Sequence, residues 1–251
     1  MPDRRDLLNE TVEPQSASPA ERPSSPARAV ETIELEVWSE IAPLRDVIIH
    51  TPGKEVDRMP PTMTHELLFD DIIDGERARE EHEHFLAVMR GFGVRVWDTL
   101  DLLAEALESN QAAVPSLIDD VVRLDGTDEE TEAELRDLEP SSLARALVHG
   151  ILSDPENPDP EYLFRLSPLP NLLFTRDPQV VLGDSAVISW MTHWARKRES
   201  LLARFIFERH PMLAGNTILD DFLEDDGFER NARGLARPAS RFPTLTLEGG
   251  D

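Results

Sequence analysis

The chain has 251 residues, with 50 acidic side chains against 25 basic ones, a formal net charge of −25 and no cysteine. A field of that sign repels a phosphate backbone, which argues against nucleic acid as a partner, while it favours solubility and draws in small cations. Without cysteine there is no disulfide framework or thiolate metal site. No apolar run reaches the ~20 residues that span a bilayer, and the N-terminus lacks the apolar stretch of a signal peptide, so a cytoplasmic protein without membrane contact is expected.

Residues 1–32 are rich in Pro, Ser, Ala and Glu, show neither apolar period, and are expected to be a disordered tail. From Ile33 the pattern changes. Ile33, Leu35 and Val37 alternate with polar residues as in a half-buried strand, and Val47-Ile48-Ile49 ends at the Thr51-Pro52-Gly53 turn as a buried one. Asp74-Gly75 opens a helix with Ala78, Phe85, Val88, Met89 and Phe92 on its apolar face, closed by Gly91 and Gly93, and Val94 to Trp97 follows as a strand. Strand, helix, strand over residues 33–98 predicts an α/β architecture.

Between residues 99 and 152 the strand signal gives way to short apolar faces (Leu102 to Leu107, Leu117 to Val122, Leu143 to Val148), with Pro115 and Pro140 near helix starts. The acidic run Asp128 to Asp137 reads as a solvated helix face, and the whole segment as an all-helical insertion. Residues 153–251 return to the α/β part. Closely spaced prolines at 155–160 make a loop, Val180-Val181-Leu182 and Ala186 to Trp190 form a hairpin across Gly183, and Arg198 to Phe207 forms an amphipathic helix. Residues 214–241 have no clear period and read as a surface excursion, before a last strand at Thr244 to Leu247 that delivers Glu248.

Two carboxylate motifs carry the chemistry: Phe174-Thr175-Arg176-Asp177-Pro178 and Leu247-Glu248-Gly249-Gly250-Asp251. A guanidinium is flat and cationic, so a site for one needs carboxylates presented as forks that accept paired N–H bonds. Asp177 and Glu248, each at a strand–loop junction, suit that task. A plainer reading stays open, in which Asp177 pairs with its neighbour Arg176 and Glu248 to Asp251 is only a turn. His82-Glu83-His84 is a poor metal pair, because residues two apart on a helix project in different directions.

Together with Ser39-Glu40-Ile41, Leu44-Arg45, Thr51-Pro52-Gly53-Lys54-Glu55, Glu66 to Asp71 and Pro168 to Leu173, these motifs stand in the order seen in arginine deiminases, and from about Glu36 onward the chain resembles the N-terminal part of that family. The resemblance implies a partial five-bladed α/β propeller of the pentein kind with a helical insertion. It implies hydrolysis of L-arginine to L-citrulline and ammonia, as in arginine catabolism, without metal or organic cofactor. By resemblance Asp177 holds the substrate guanidinium, and Glu248 binds it while orienting a histidine. Asn171 and Arg196 bind the α-carboxylate, the Leu68 carbonyl accepts from the α-ammonium, Phe174 packs beside the alkyl stem, and Asp251 is a further polar position.

The family's cysteine nucleophile, its histidine and its second aspartate have no counterpart in this sequence, so a chain inactive by itself is expected, since losing a nucleophile costs on the order of 10⁶ in rate. Two other readings remain: a non-catalytic arginine-binding or partner-binding remnant, and a related amidinotransferase or amidinohydrolase. Expected partners are L-arginine and either a C-terminal half or a second copy of the chain. Uncovered strand edges and apolar faces predict marginal stability in isolation.

Overall fold

The computed structural model describes residues 32–153, 163–219, 228–230 and 236–238. The tail, the proline-rich loop, the last predicted strand, Glu248 and Asp251 lie outside the described residues. Within them the fold is mixed α/β, with seven α-helices and small sheets.

The first sheet pairs β1 (Asp46–Ile49) with β2 (Arg95–Asp98) in parallel, and the chain crosses between them through α2 (Gly75–Gly91), as parallel strands require. Asp46 pins the register: its carboxylate accepts from Arg95 Nη2 at 2.8 Å and from Trp97 Nε1 at 2.9 Å. Asp74 caps α2 by accepting from the Arg77 amide at 3.2 Å, as Asp74-Gly75 predicts. A single turn, α1 (Lys54–Asp57), follows β1.

Residues 99–149 are helical: α3 (Thr99–Ser109), α4 (Val114–Asp125), α5 (Glu129–Asp137) and α6 (Pro140–His149). Each start has a local cause. Asp98 and Asp128 cap α3 and α5 through the amides of Leu100 and Thr131, both at 2.8 Å, and Pro115 and Pro140 occupy first turns where no amide proton is needed. The acidic first turn of α5 suits the positive end of its dipole. These helices share one apolar core with the later elements: Leu103, Leu107, Val121 and Leu147 are closed off together with Ile188 and Ile206.

After the short antiparallel pair β3 (Ile151–Leu152) and β4 (Phe164–Leu166) comes the hairpin β5 (Gln179–Leu182) and β6 (Ser185–Ile188), turning at Gly183 with φ +63°. Helix α7 (Lys197–Arg209) leads from β6 to β7 (Thr217–Leu219), which lies parallel to β6. The hairpin and α7 match the sequence expectation. No helix among the described residues is long and apolar enough to cross a membrane.

Three expectations need correction. Residues 33–36 keep their in–out alternation, but Val37 is exposed and the segment forms only one bridge, Val37 to Gly183; its other bonds go to the Met212 carbonyl and the side-chain amide of Asn216, so there is no ladder. On α2 the predicted apolar face only partly meets the core: Ala78 and Met89 are half-buried, Phe85, Val88 and the C-cap Phe92 are exposed, and Leu86 is the buried anchor. Residues 214–241 are not strandless: they carry β7 and the antiparallel pair β8 (Phe228–Arg230) and β9 (Ala236–Pro238). Three-residue strands are too short to show a period, and the partner strand decides them.

Candidate functional site

Residues 170–173 form a 3₁₀ turn whose Asn171 side chain is buried and donates from Nδ2 to the Leu67 carbonyl at 2.6 Å. That bond ties the 67–69 loop to the loop ahead of β5. A small apolar group of Met59, Leu67 and Ala195 supports it from below. Leu68, next along, has φ +63°, a conformation that a non-glycine side chain rarely adopts, and its side chain is half exposed. Thr175 donates to the Ile48 carbonyl at 3.1 Å, so the Phe174–Pro178 motif hangs on the end of β1.

Arg196 closes the cluster from the 3₁₀ turn that precedes α7. Its Nη1 donates to Asp177 Oδ2 at 2.7 Å, its Nη2 to Glu199 Oε2 at 2.9 Å and to the Asn171 carbonyl at 3.4 Å, and its Nε to both Glu199 oxygens at 3.1 and 3.2 Å. The guanidinium carbon sits 5.9 Å from the centre of the half-exposed Phe174 ring. Burial opposes the charge on Arg196, but the bonds and charges of Glu199 and then Asp177 outweigh it and hold Arg196 above its usual range.

Asn171, Phe174, Asp177 and Arg196, separated by as many as 25 residues, thus meet at one place, with Leu68 beside them through its neighbour Leu67. The positions of Glu248 and Asp251 lie outside the described residues. The plainer reading of Asp177 fails in one respect: Arg176 points outward and pairs with Glu40 at 3.1 Å, leaving Asp177 to the buried Arg196.

Glu199 is the residue that sequence reasoning missed. Its side chain is fully buried, and burial above all, helped by the charge of Asp177, pushes its carboxyl up to about 7 against the pull of Arg196. The only local hint is its place three residues after Arg196, one helical turn away.

A second buried polar group lies nearby. His50, just after β1, meets Glu55 at 3.2 Å and stands 3.8 Å from Asp98, while His149 reaches the other Glu55 oxygen at 3.4 Å. Burial disfavours the imidazolium, but the two carboxylates overcome it and raise His50 to about 9. The same pairing, outweighing burial, holds Asp98 down at about 2. Beside it is a cavity of about 620 Å³ lined by residues that include Arg79, Asp98, Asp101 and His149. Its lining includes none of the Asp177–Arg196 cluster, and Arg79 is already spent on Asp57 at 3.0 Å, so volume alone does not make it the site.

The arginine deiminase family model matches residues 65–231. The arginine deiminase of Metamycoplasma arthritidis (strain 158L3-1) is 34% identical over 188 residues, covering 71% of this chain and 46% of that protein. That of Staphylococcus aureus (strain Newman) is 37% identical over 191 residues, covering 70% of this chain and 46% of its own length. The chain spans about half the length of the curated relatives it matches.

Proposed function

The chain belongs to the arginine deiminase family, and from that premise we propose that it supplies the L-arginine-recognising part of a site for hydrolysis of arginine to citrulline and ammonia. The observation that carries the proposal is the meeting of Asp177, Arg196, Asn171 and Phe174 around one guanidinium. Asp177 is the carboxylate for the substrate guanidinium, and Arg196 with Asn171 takes the α-carboxylate. The Leu68 carbonyl receives the α-ammonium, and Phe174 flanks the alkyl stem. Glu248 and Asp251 enter on the resemblance of their motif. In keeping with this, β5, β6, α7 and β7 form two antiparallel strands, a helix and a third strand parallel to the second, a module suited to a blade of a five-bladed propeller.

No metal or organic cofactor takes part in the proposed chemistry; charge is handled by side chains. A second reading is favoured by one fact. None of the 251 residues is cysteine, so a thiolate to attack the guanidinium carbon has to come from outside them, and the chain by itself binds arginine without turning it over. Two measurements test this. Calorimetric titration with L-arginine gives saturable heat that Asp177→Asn abolishes, and a citrulline assay on the same material stays at background. Absence of heat at millimolar arginine overturns the binding role, and citrulline formation overturns the need for a thiol.

A further inference from the structure

Every nitrogen of Arg196 has a partner. Nε and Nη2 belong to Glu199, Nη1 belongs to Asp177, and the Asn171 carbonyl takes the remaining long bond. The cluster therefore holds two carboxylates and one guanidinium, and with both acids ionised it carries one negative charge more than it can neutralise. The charged groups that face Glu199 do not remove that excess. Arg198, its neighbour on α7, is turned to Asp125 of α4 at 2.9 Å and to the Ser167 carbonyl, and Lys197 lies 4.3 Å over the Trp190 ring. Arg196 itself already serves both carboxylates, and Asp177 adds repulsion.

We infer that Glu199 is the positioning residue of the site: it holds Arg196 in place while Asp177 exchanges its internal guanidinium for an incoming one, and its ionisation makes capture of that cation proton-linked. The inference rests on the arginine-binding role proposed above. L-arginine carries a net charge of +1, its α-ammonium and α-carboxylate cancelling, so its arrival restores the balance that the empty cluster lacks. A ligand cation favours the ionised form of Glu199 and expels its proton. Because burial places that carboxyl near 7, the ionised fraction rises from about 0.1 at pH 6 to about 0.9 at pH 8, and affinity rises about tenfold over the same range.

The test is calorimetric titration of the full chain with L-arginine at pH 6, 7 and 8, in two buffers of different ionisation enthalpy, alongside an NMR titration of the Arg196 Nε signal without ligand. Expected are a Kd about tenfold lower at pH 8 than at pH 6, release of about half a proton per arginine at pH 7, and an Nε shift with its midpoint near 7. Glu199→Gln, a neutral mimic of the protonated acid, binds at every pH more weakly than the parent does at pH 6 and loses the Nε titration. A pH-independent affinity, with binding intact, overturns the inference and leaves the arginine-binding role standing. An Nε signal that does not move between pH 6 and 8 overturns it with no variant needed. No binding at any pH, with the Nε midpoint still near 7, supports the hold of Glu199 on Arg196 and removes the arginine-binding role instead.

Discussion

His50 should make the stability of this protein fall as the solution becomes alkaline. Its imidazole is buried against Glu55 and Asp98 and is raised from 6.5 in the unfolded chain to about 9 in the fold. The folded state therefore holds a proton that the unfolded state has released between those values. The stabilisation is fully present below 6.5 and is lost as pH rises through 9. Proton linkage puts it at about 3 kcal/mol at pH 6 and well under about 1 kcal/mol at pH 9. Glu199 also destabilises the fold as pH rises, but between its ordinary range and about 7, so the two must be separated. Urea denaturation of the parent and of His50→Gln at half-unit steps from pH 6 to 9.5 does so, because the contribution of Glu199 cancels in the difference. The parent's advantage should shrink by roughly 3 kcal/mol between pH 6 and 9. If His50→Gln does not fold, NMR titration of the parent's His50 ring proton gives the same answer, with a midpoint near 9. A constant stability difference, or a His50 midpoint below 7, would refute the reasoning.

Other expectations follow from single contacts. Arg198→Met leaves Asp125 buried without its partner and should cost about 3–5 kcal/mol in urea denaturation, while adding Asp125→Leu should recover most of the loss. Gly150 has φ +74°, and a Cβ there would stand 2.5 Å from the Leu166 carbonyl oxygen, so Gly150→Ala should lower stability by about 2 kcal/mol or more in the same assay. Phe92→Ser should change the unfolding free energy by less than about 0.5 kcal/mol, because Phe92 is exposed at the end of α2 despite its place in an apolar repeat.

What could be read without coordinates was whatever a few neighbouring residues decide. Asp74-Gly75 opens a helix because a carboxylate can accept from an amide three residues on, Pro115 and Pro140 mark first turns, and Gly183 permits a tight hairpin. Of the proposed guanidinium-site residues among those described, Asp177 was legible from its own chemistry, a carboxylate at a strand–loop junction. Asn171, Phe174 and Arg196 came from the resemblance alone.

Tertiary structure decided the rest, because charge pairing and burial depend on residues far away in the chain. Which face of α2 meets the core depends on where β1 and β2 place it, so Leu86 is buried while the more regular Phe85, Val88 and Phe92 are not. The fate of Asp177 depends on a buried arginine 19 positions on, rather than on the adjacent Arg176. Glu199 and His50 look like ordinary polar residues in the sequence. Their unusual proton affinities exist only because the fold removes water from them and sets other charges 3–4 Å away, where Coulomb forces are no longer screened by solvent.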